Sequence, residues 1–357
     1  MNKKWRHLLQ FSLTILLFLS LCVAIDRVYA AGNQKTAQNV VDKMGVGWNL
    51  GNSLDAYSYD LGYATPEKTE ELWNNPPTTR RLIDTVADAG FGSIRIPVTY
   101  VNHIDDNGNI DKAWLKRVAQ VVDYALDNDL YVIINVHHDT GHEGWICADQ
   151  STYKTDLKNF LNIWEQVAAY FKNYDHRLLF QSTNEILNND NNWDWNSAWK
   201  DFRVVHDMNQ QFINMVRKTG GKNQNRYLVM STWGASSDSC QIEQMFYKSF
   251  KDTAKDRLIL SVHNYMSDES TIDSVIASLE SYSEKYEIPI IIDEFGTKAS
   301  VAADTRVQSA RYYVTTAKKA GIACFWWDNG GDYSLFDRTT YQQENTALVE
   351  ALVNSAK

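Results

Sequence analysis

The sequence predicts a (β/α)8 barrel, one closed parallel sheet ringed by helices, forming a single domain over residues 31–357. Two observations carry the prediction. Eight short apolar runs rich in Val, Ile and aromatics alternate with longer stretches of helical period. The run starts also recur every 31–49 residues along a chain of 357. Near-continuous apolar strands separated by amphipathic helices imply a parallel sheet covered on its outer face, and the length suits one barrel with loop insertions. A doubly wound open sheet would instead need a Gly-rich phosphate turn after its first strand. Gly45–Gly51 contains a G-x-G, but the bulky Trp48 stands where a phosphate would need the backbone.

In chain order, the first segment is an expected export signal over residues 1–30. Lys3, Lys4, Arg6 and His7 precede an apolar run from Phe11 to Ile25, and Val28-Tyr29-Ala30 supplies an A-x-A-like end. The run is shorter than the roughly 20 residues a membrane span needs. Leu21 is too large for the small residue expected before a lipidated cysteine at Cys22. The expectation is a secreted, extracellular monomer with no stable membrane association after cleavage. Removing the signal takes four cations and one anion from a chain of net charge −9, leaving −12. Such acidity argues against a nucleic-acid partner. Cys147 and Cys240 fall in predicted loops and could pair if those loops meet; Cys324 lies in an apolar run and reads as a buried free thiol.

The runs are Val46–Leu50, Gly92–Val98, Tyr131–Val136, Leu178–Thr183, Tyr227–Ser231, Leu258–Val262, Ile290–Asp293 and Ile322–Trp327. Between them Lys112–Asn128, Asp156–Lys172, Thr305–Ala320 and Asn345–Asn354 place apolar residues on one helical stripe. In such a barrel the chemistry projects from the C-terminal strand ends. Those ends carry Asn49, Arg95, His137-His138-Asp139, Asn184-Glu185, Trp233, His263-Asn264-Tyr265, Asp293-Glu294 and Trp326-Trp327-Asp328, in strand order.

Glu185 and Glu294 come from opposite sides of the barrel, where inward side chains can approach to about 5 Å, the separation used for double displacement at a glycosidic bond. Arg95 beside one carboxylate would lower its pKa and keep it a nucleophilic anion. The other must hold a proton, which calls for a raised pKa.

These residues resemble glycoside hydrolase family 5, most closely its subfamily 4 endoglucanases and xyloglucanases. GVGWNLGNSLDA, GFGSIRIPVTY, YVIINVHHD, STNEI, VHNY, IIDEFG, CFWWDNG and LFDR match in order and spacing from about Gln38 to near the C-terminus. The resemblance implies an endo-β-1,4-glucanase of the TIM-barrel class acting on β-glucan, without cofactor or metal. It makes Glu185 the acid/base and Glu294 the nucleophile. It has Arg95 and Tyr265 bond the nucleophile, Asn184 the sugar 2-hydroxyl, and His263 tune the acid/base. His137 and His138 would line the −1 subsite, with Trp327, or failing it Trp326, as the platform beneath the sugar; Asn49 supports the group. One departure is Ile186 where the family usually has Pro, which should alter only the loop path.

Eight of the eleven tryptophans after residue 30 fall at predicted strand ends or βα loops, a bias that suggests stacking platforms. Trp73, Trp145, Trp193, Trp195 and Trp233 are the candidates, with Trp193 and Trp195 on the leaving-group side. Two rivals are weighed. A metal-dependent hydrolase could draw on His137, His138, Asp139 and His142, but the other strand ends add only His263 as a further histidine. A carbohydrate-binding protein with a degenerate site would lack a catalytic carboxylate, and both are present. Xyloglucan, mixed-linkage glucan (lichenase activity) and mannan are the alternative substrates.

Overall fold

The computed structural model describes residues 36–191, 193 and 195–357, with the side chains of 195–199 outside that description. The signal segment expected over 1–30 lies outside the described residues. Ala37–Lys357 forms one compact unit, and no helix among the described residues is long and apolar enough to cross a membrane.

Eight parallel strands close on themselves in sequence order: β1 (Gly47–Leu50), β2 (Ser93–Ile96), β3 (Tyr131–Asn135), β4 (Leu178–Gln181), β5 (Leu228–Ser236), β6 (Leu258–His263), β7 (Ile290–Phe295) and β8 (Ala323–Asp328). β1 pairs with β8, setting Asn49 opposite Trp327 and sealing the barrel. The helix following each strand packs outside. The four expected helices occur at Lys112–Asp127, Tyr153–Tyr170, Ala303–Lys319 and Thr346–Ser355. Arg80–Asp88, Trp195–Lys218, Ser239–Met245 and Glu269–Tyr286 complete the ring. Several of the ring's N-termini are closed by side chains, for example Asp111 accepting from Ala113 N and Asp268 from Thr271 N.

The core has two parts. Apolar residues on the outward strand faces and inward helix stripes form the larger. The smaller fills the lower barrel with Ile133, Leu179, Val229, Ile259, Ile291 and Phe325, and the helix Ala37–Met44 plugs that end with Val40, Val41 and Met44. Gly47 is required there: a Cβ would stand 2.0 Å from the Phe325 ring. Above this apolar floor the interior turns polar. Asn49, Arg95, Asn135, Gln181, Ser231, Ser261 and Asp293, one from each of β1 to β7, are all fully buried.

Two strands depart from regular pairing near the mouth. β5 runs five residues beyond the expected Ser231, with a register shift between Ser231 and Ser236 and left-handed backbone at Gly234 and Ala235. β7 shifts register against β8 between Ile292 and Phe295. Cys147 and Cys240 are both free, each held in its own loop or helix, and Cys324 is free and buried as expected.

Candidate active site

Arg95 is the hub of the polar layer. Its Nη1 donates to Glu294 Oε1 at 2.7 Å and to Asn49 Oδ1 at 3.0 Å, its Nη2 to Asn184 Oδ1 at 2.7 Å, and its Nε to Gln181 Oε1 at 2.8 Å. Because the Asn184 carbonyl is spent on Arg95, its amide hydrogens remain for another partner. Asn49 Nδ2 donates to the backbone carbonyl of Asp293 at 2.8 Å, pinning β1 beneath the end of β7. The β7 irregularity lets consecutive residues Asp293 and Glu294 both reach Arg95, at 3.1 and 2.7 Å. In a regular strand they would face opposite sides.

The second oxygen of Glu294 accepts from the Tyr265 hydroxyl at 2.8 Å. Glu185 bonds His263 Nδ1 at 2.8 Å, and that nitrogen lies 3.4 Å from Glu294 Oε2. Donor atoms of Glu185, His263 and Glu294 all fall within 4.8 Å of one another. Glu294 is almost closed off, with its side chain 6% exposed, whereas Glu185 keeps 32% exposed at the mouth.

Burial pushes His263 down, but the charges of Glu294 and Asp293 and the bond to Glu185 outweigh it and raise its pKa to about 9. Glu185 is raised by burial yet held below its ordinary value by the His263 hydrogen bond and charge. Glu294 is raised, first by burial, against the pull of His263 and Arg95. This reverses the order expected from sequence, which raised Glu185 and lowered Glu294. The cause is His263, whose charge and hydrogen bond beside Glu185 favour that carboxylate's anionic form. Tyr265 is pushed well above its usual value by burial and then by the adjacent carboxylates, so it donates rather than ionises.

On the opposite wall Asn135 Nδ2 donates to His137 Nδ1 at 3.0 Å, leaving His137 Nε2 as the N–H side of a neutral ring. Burial, with His138 and Arg95, drives that pKa well down. His137 lies parallel to Trp327, with centroids 5.8 Å apart and planes 4° apart. Trp326 is buried with its Nε1 on Tyr333 O, which leaves Trp327 as the half-buried ring of the pair. His138 Nε2 is 3.6 Å from Asp55. The histidine cluster read from sequence is rearranged: Asp139 accepts from Tyr100 N and Trp145 Nε1, and the donor set within 4.8 Å is Asp55, His137 and His138.

The tryptophans divide. Trp73 stands half-buried on the cleft wall, 5.2 Å from His138. Trp193 is 52% exposed and lies over Gly234, where a Cβ would come within 3.1 Å of its ring. Trp145 is half-buried and anchors its loop through Asp139. Trp233 is corrected: it is buried edge-on to Phe202 at 5.3 Å, because β5 continues through it into the sheet, and it offers no face to a sugar. Trp195 opens a helix rather than a loop, and its side chain lies outside the described residues. Ile186 is buried and its carbonyl accepts from Gly234 N, so the chain leaving β4 is tied to β5.

Sequence reasoning missed three features here. Tyr57 packs 5.4 Å from both Trp73 and His138, and donates to Glu143 Oε2 at 2.9 Å. Tyr59 packs on Tyr57 and bonds the Glu143 carbonyl, so the β1 and β3 loops are clamped together. Gln181 and Asp293 complete the surroundings of Arg95; a charged residue next to Glu294 at the end of an otherwise apolar run was the available signal.

A family model described as cellulase (glycosyl hydrolase family 5) matches residues 54–333. Endoglucanase A of Ruminococcus albus is 35% identical over 355 residues, covering 90% of this chain and 93% of its own length. Among solved structures, a subfamily 4 broad specificity endoglucanase of Clostridium longisporum superposes with a TM-score of 0.84 at 32% identity, covering 91% of this chain and 99% of that one. A family 5 enzyme of Prevotella bryantii B14, solved with a xyloglucan tetradecasaccharide, gives 0.83 at 32% identity, with the same two coverages.

Proposed function

Since the chain belongs to glycosyl hydrolase family 5 and is a glycoside hydrolase acting on β-glucans, we propose that it is a secreted, retaining endo-β-1,4-glucanase with Glu294 as nucleophile and Glu185 as acid/base. The observation that carries the assignment is the asymmetry of two carboxylates whose oxygens approach within 4.8 Å. That spacing fits double displacement better than the roughly 6.5–9.5 Å that leaves room for an inverting water. Glu294 is gripped by Arg95 and Tyr265 and nearly closed off; Glu185 is open to the cleft and coupled to a proton-bearing ring.

The internal β-1,4 bond lies across the two carboxylates, with the −1 sugar over Trp327 and its 2-hydroxyl accepting from Asn184. As the glycosidic bond breaks, Glu185 delivers a proton to the leaving oxygen. His263 Nδ1, 2.8 Å away, keeps that proton within reach. Glu294 Oε2 attacks the anomeric carbon from the opposite face and forms a glycosyl ester, while Arg95 holds Oε1. Esterification removes the negative charge of Glu294, which favours the anionic form of Glu185. That carboxylate then takes a proton from water as the water opens the ester, returning the original anomeric configuration.

A second reading, xyloglucan as the preferred chain, is favoured by the Prevotella bryantii relative solved with that ligand. Reducing-end assays on cellulose derivatives, lichenan, xyloglucan, glucomannan and xylan, with wild type and Glu294→Ala, decide between substrates. No cleavage by wild type, or full activity in the variant, would sink the assignment. Anomeric NMR of early product should give the β anomer, and α product would remove Glu294 from the nucleophile role.

A further inference from the structure

A third carboxylate lies beneath Glu185 and Glu294 and has no part in the steps above. Asp293 is fully buried. Its Oδ2 is 3.1 Å from Arg95 Nε and accepts from Gln181 Nε2. Its Oδ1 has no hydrogen-bond partner, and neither has His263 Nε2. These two atoms face each other at 3.5 Å. The other ring nitrogen, Nδ1, is the one on Glu185.

From this alignment we infer that Asp293 is a positioning residue for the acid/base, acting through the His263 ring to decide where the proton of the His263–Glu185 pair resides. The inference rests on the assignment of Glu185 above. An anion on one imidazole nitrogen fixes the ring's orientation and favours its protonated form, leaving the other nitrogen to share a proton. A bare counter-charge for Arg95 would not require the second oxygen to be turned toward His263, and Glu294 already pairs with Arg95 at 2.7 Å.

Charge counting supports the same role. Around His263 stand Glu185 after β4 and Asp293 and Glu294 from β7, with His137 after β3 in its field, His138 beside that ring, Arg95 from β2 paired to both β7 carboxylates, and Tyr265 after β6 on Glu294. With His137 neutral and Glu185 protonated, ready to donate, Arg95 and His263 balance Asp293 and Glu294. Without the Asp293 charge that state carries a net positive charge in a buried site, which favours loss of a proton from His263 or Glu185.

The near-isosteric Asp293→Asn tests this. The alkaline limb of the kcat/KM profile should move down by about one pH unit or more, the scale of losing one close opposite charge. kcat on polysaccharide should fall while KM for cello-oligosaccharides changes little. The loss should be much smaller on 2,4-dinitrophenyl cellobioside, whose leaving group needs no proton. An unmoved alkaline limb with equal loss on both substrates would overturn the inference and leave Asp293 as a brace for Arg95. If the variant does not fold, 15N NMR of wild-type His263 decides: Nε2 should carry a hydrogen-bonded proton at pH 7, and a bare Nε2 overturns it. Glu185→Ala separates the two layers. If azide does not restore its turnover and the dinitrophenyl substrate is not spared, the Glu185 assignment has failed instead.

Discussion

Replacing His263 by glutamine should flatten the loss of stability that the wild type suffers as pH rises from about 6.5 to 9. The ring's pKa stands at about 9 in the folded chain against 6.5 for an ordinary histidine. The folded state therefore binds the extra proton between those values. A raised pKa contributes stability that is fully present below pH 6.5 and is lost as pH climbs through 9. A gap of two and a half units corresponds to about 3 kcal/mol at about 1.36 kcal/mol per unit. The side chain is only 5% exposed, so solvent screening takes little of this. Glutamine keeps a donor for Glu185 but cannot titrate. Urea unfolding of wild type and His263→Gln at pH 6, 7.5, 9 and 9.5 measures the difference directly. The wild type should lose about 3 kcal/mol more than the variant across that range, whatever the variant's stability at pH 6. Parallel curves would refute a charged His263 and, with it, the proton store beside Glu185.

Other outcomes follow from features away from the reacting groups. Arg226 donates to the carbonyls of Phe171, Tyr174, Asp175 and Leu178. Arg226→Met strands several buried acceptors at about 1–3 kcal/mol each, so a loss above about 4 kcal/mol in urea, or no soluble protein, is expected; a loss under about 1 kcal/mol would contradict it. His103 is stacked on Trp114 at 3.7 Å and lowered to about 4, chiefly by burial. Its contribution is therefore lost as pH falls from 6.5 towards 4, and His103→Phe should lose less stability than wild type between pH 7 and 4.5. Trp193 and Trp233 should behave oppositely. Trp193→Ala should raise KM for long oligosaccharides at unchanged melting temperature. Trp233→Ala, a cavity in the core, should cost about 3–5 kcal/mol of stability.

The barrel was legible because parallel strands are buried on both faces, so runs such as Tyr131–Val136 read as unbroken apolar stretches. Helix Glu269–Tyr286 was not, since it buries only Ile272, Ile276 and Leu279 among serines, acids and tyrosines. The placing of Glu185, Glu294 and Arg95 together at the barrel mouth could be read from strand ends and a motif set. Their electrostatics could not, because His263 meets both carboxylates only where β6 and β7 slip register at Val262 and His263. Trp233 misled for a related reason: a strand end locates a residue along the barrel but not which way its ring turns when the strand runs on.

The contact between Arg95 and Glu294 spans 199 residues of sequence. A chain that emerges N-terminus first presents Arg95 before either of its anionic partners, Asp293 and Glu294. A guanidinium with no counter-charge resists burial, so the second strand cannot settle into a dry interior during that interval. Closure of the polar layer therefore depends on β7, which brings Asp293 and Glu294 to Arg95, and on β8, which seals the barrel against β1.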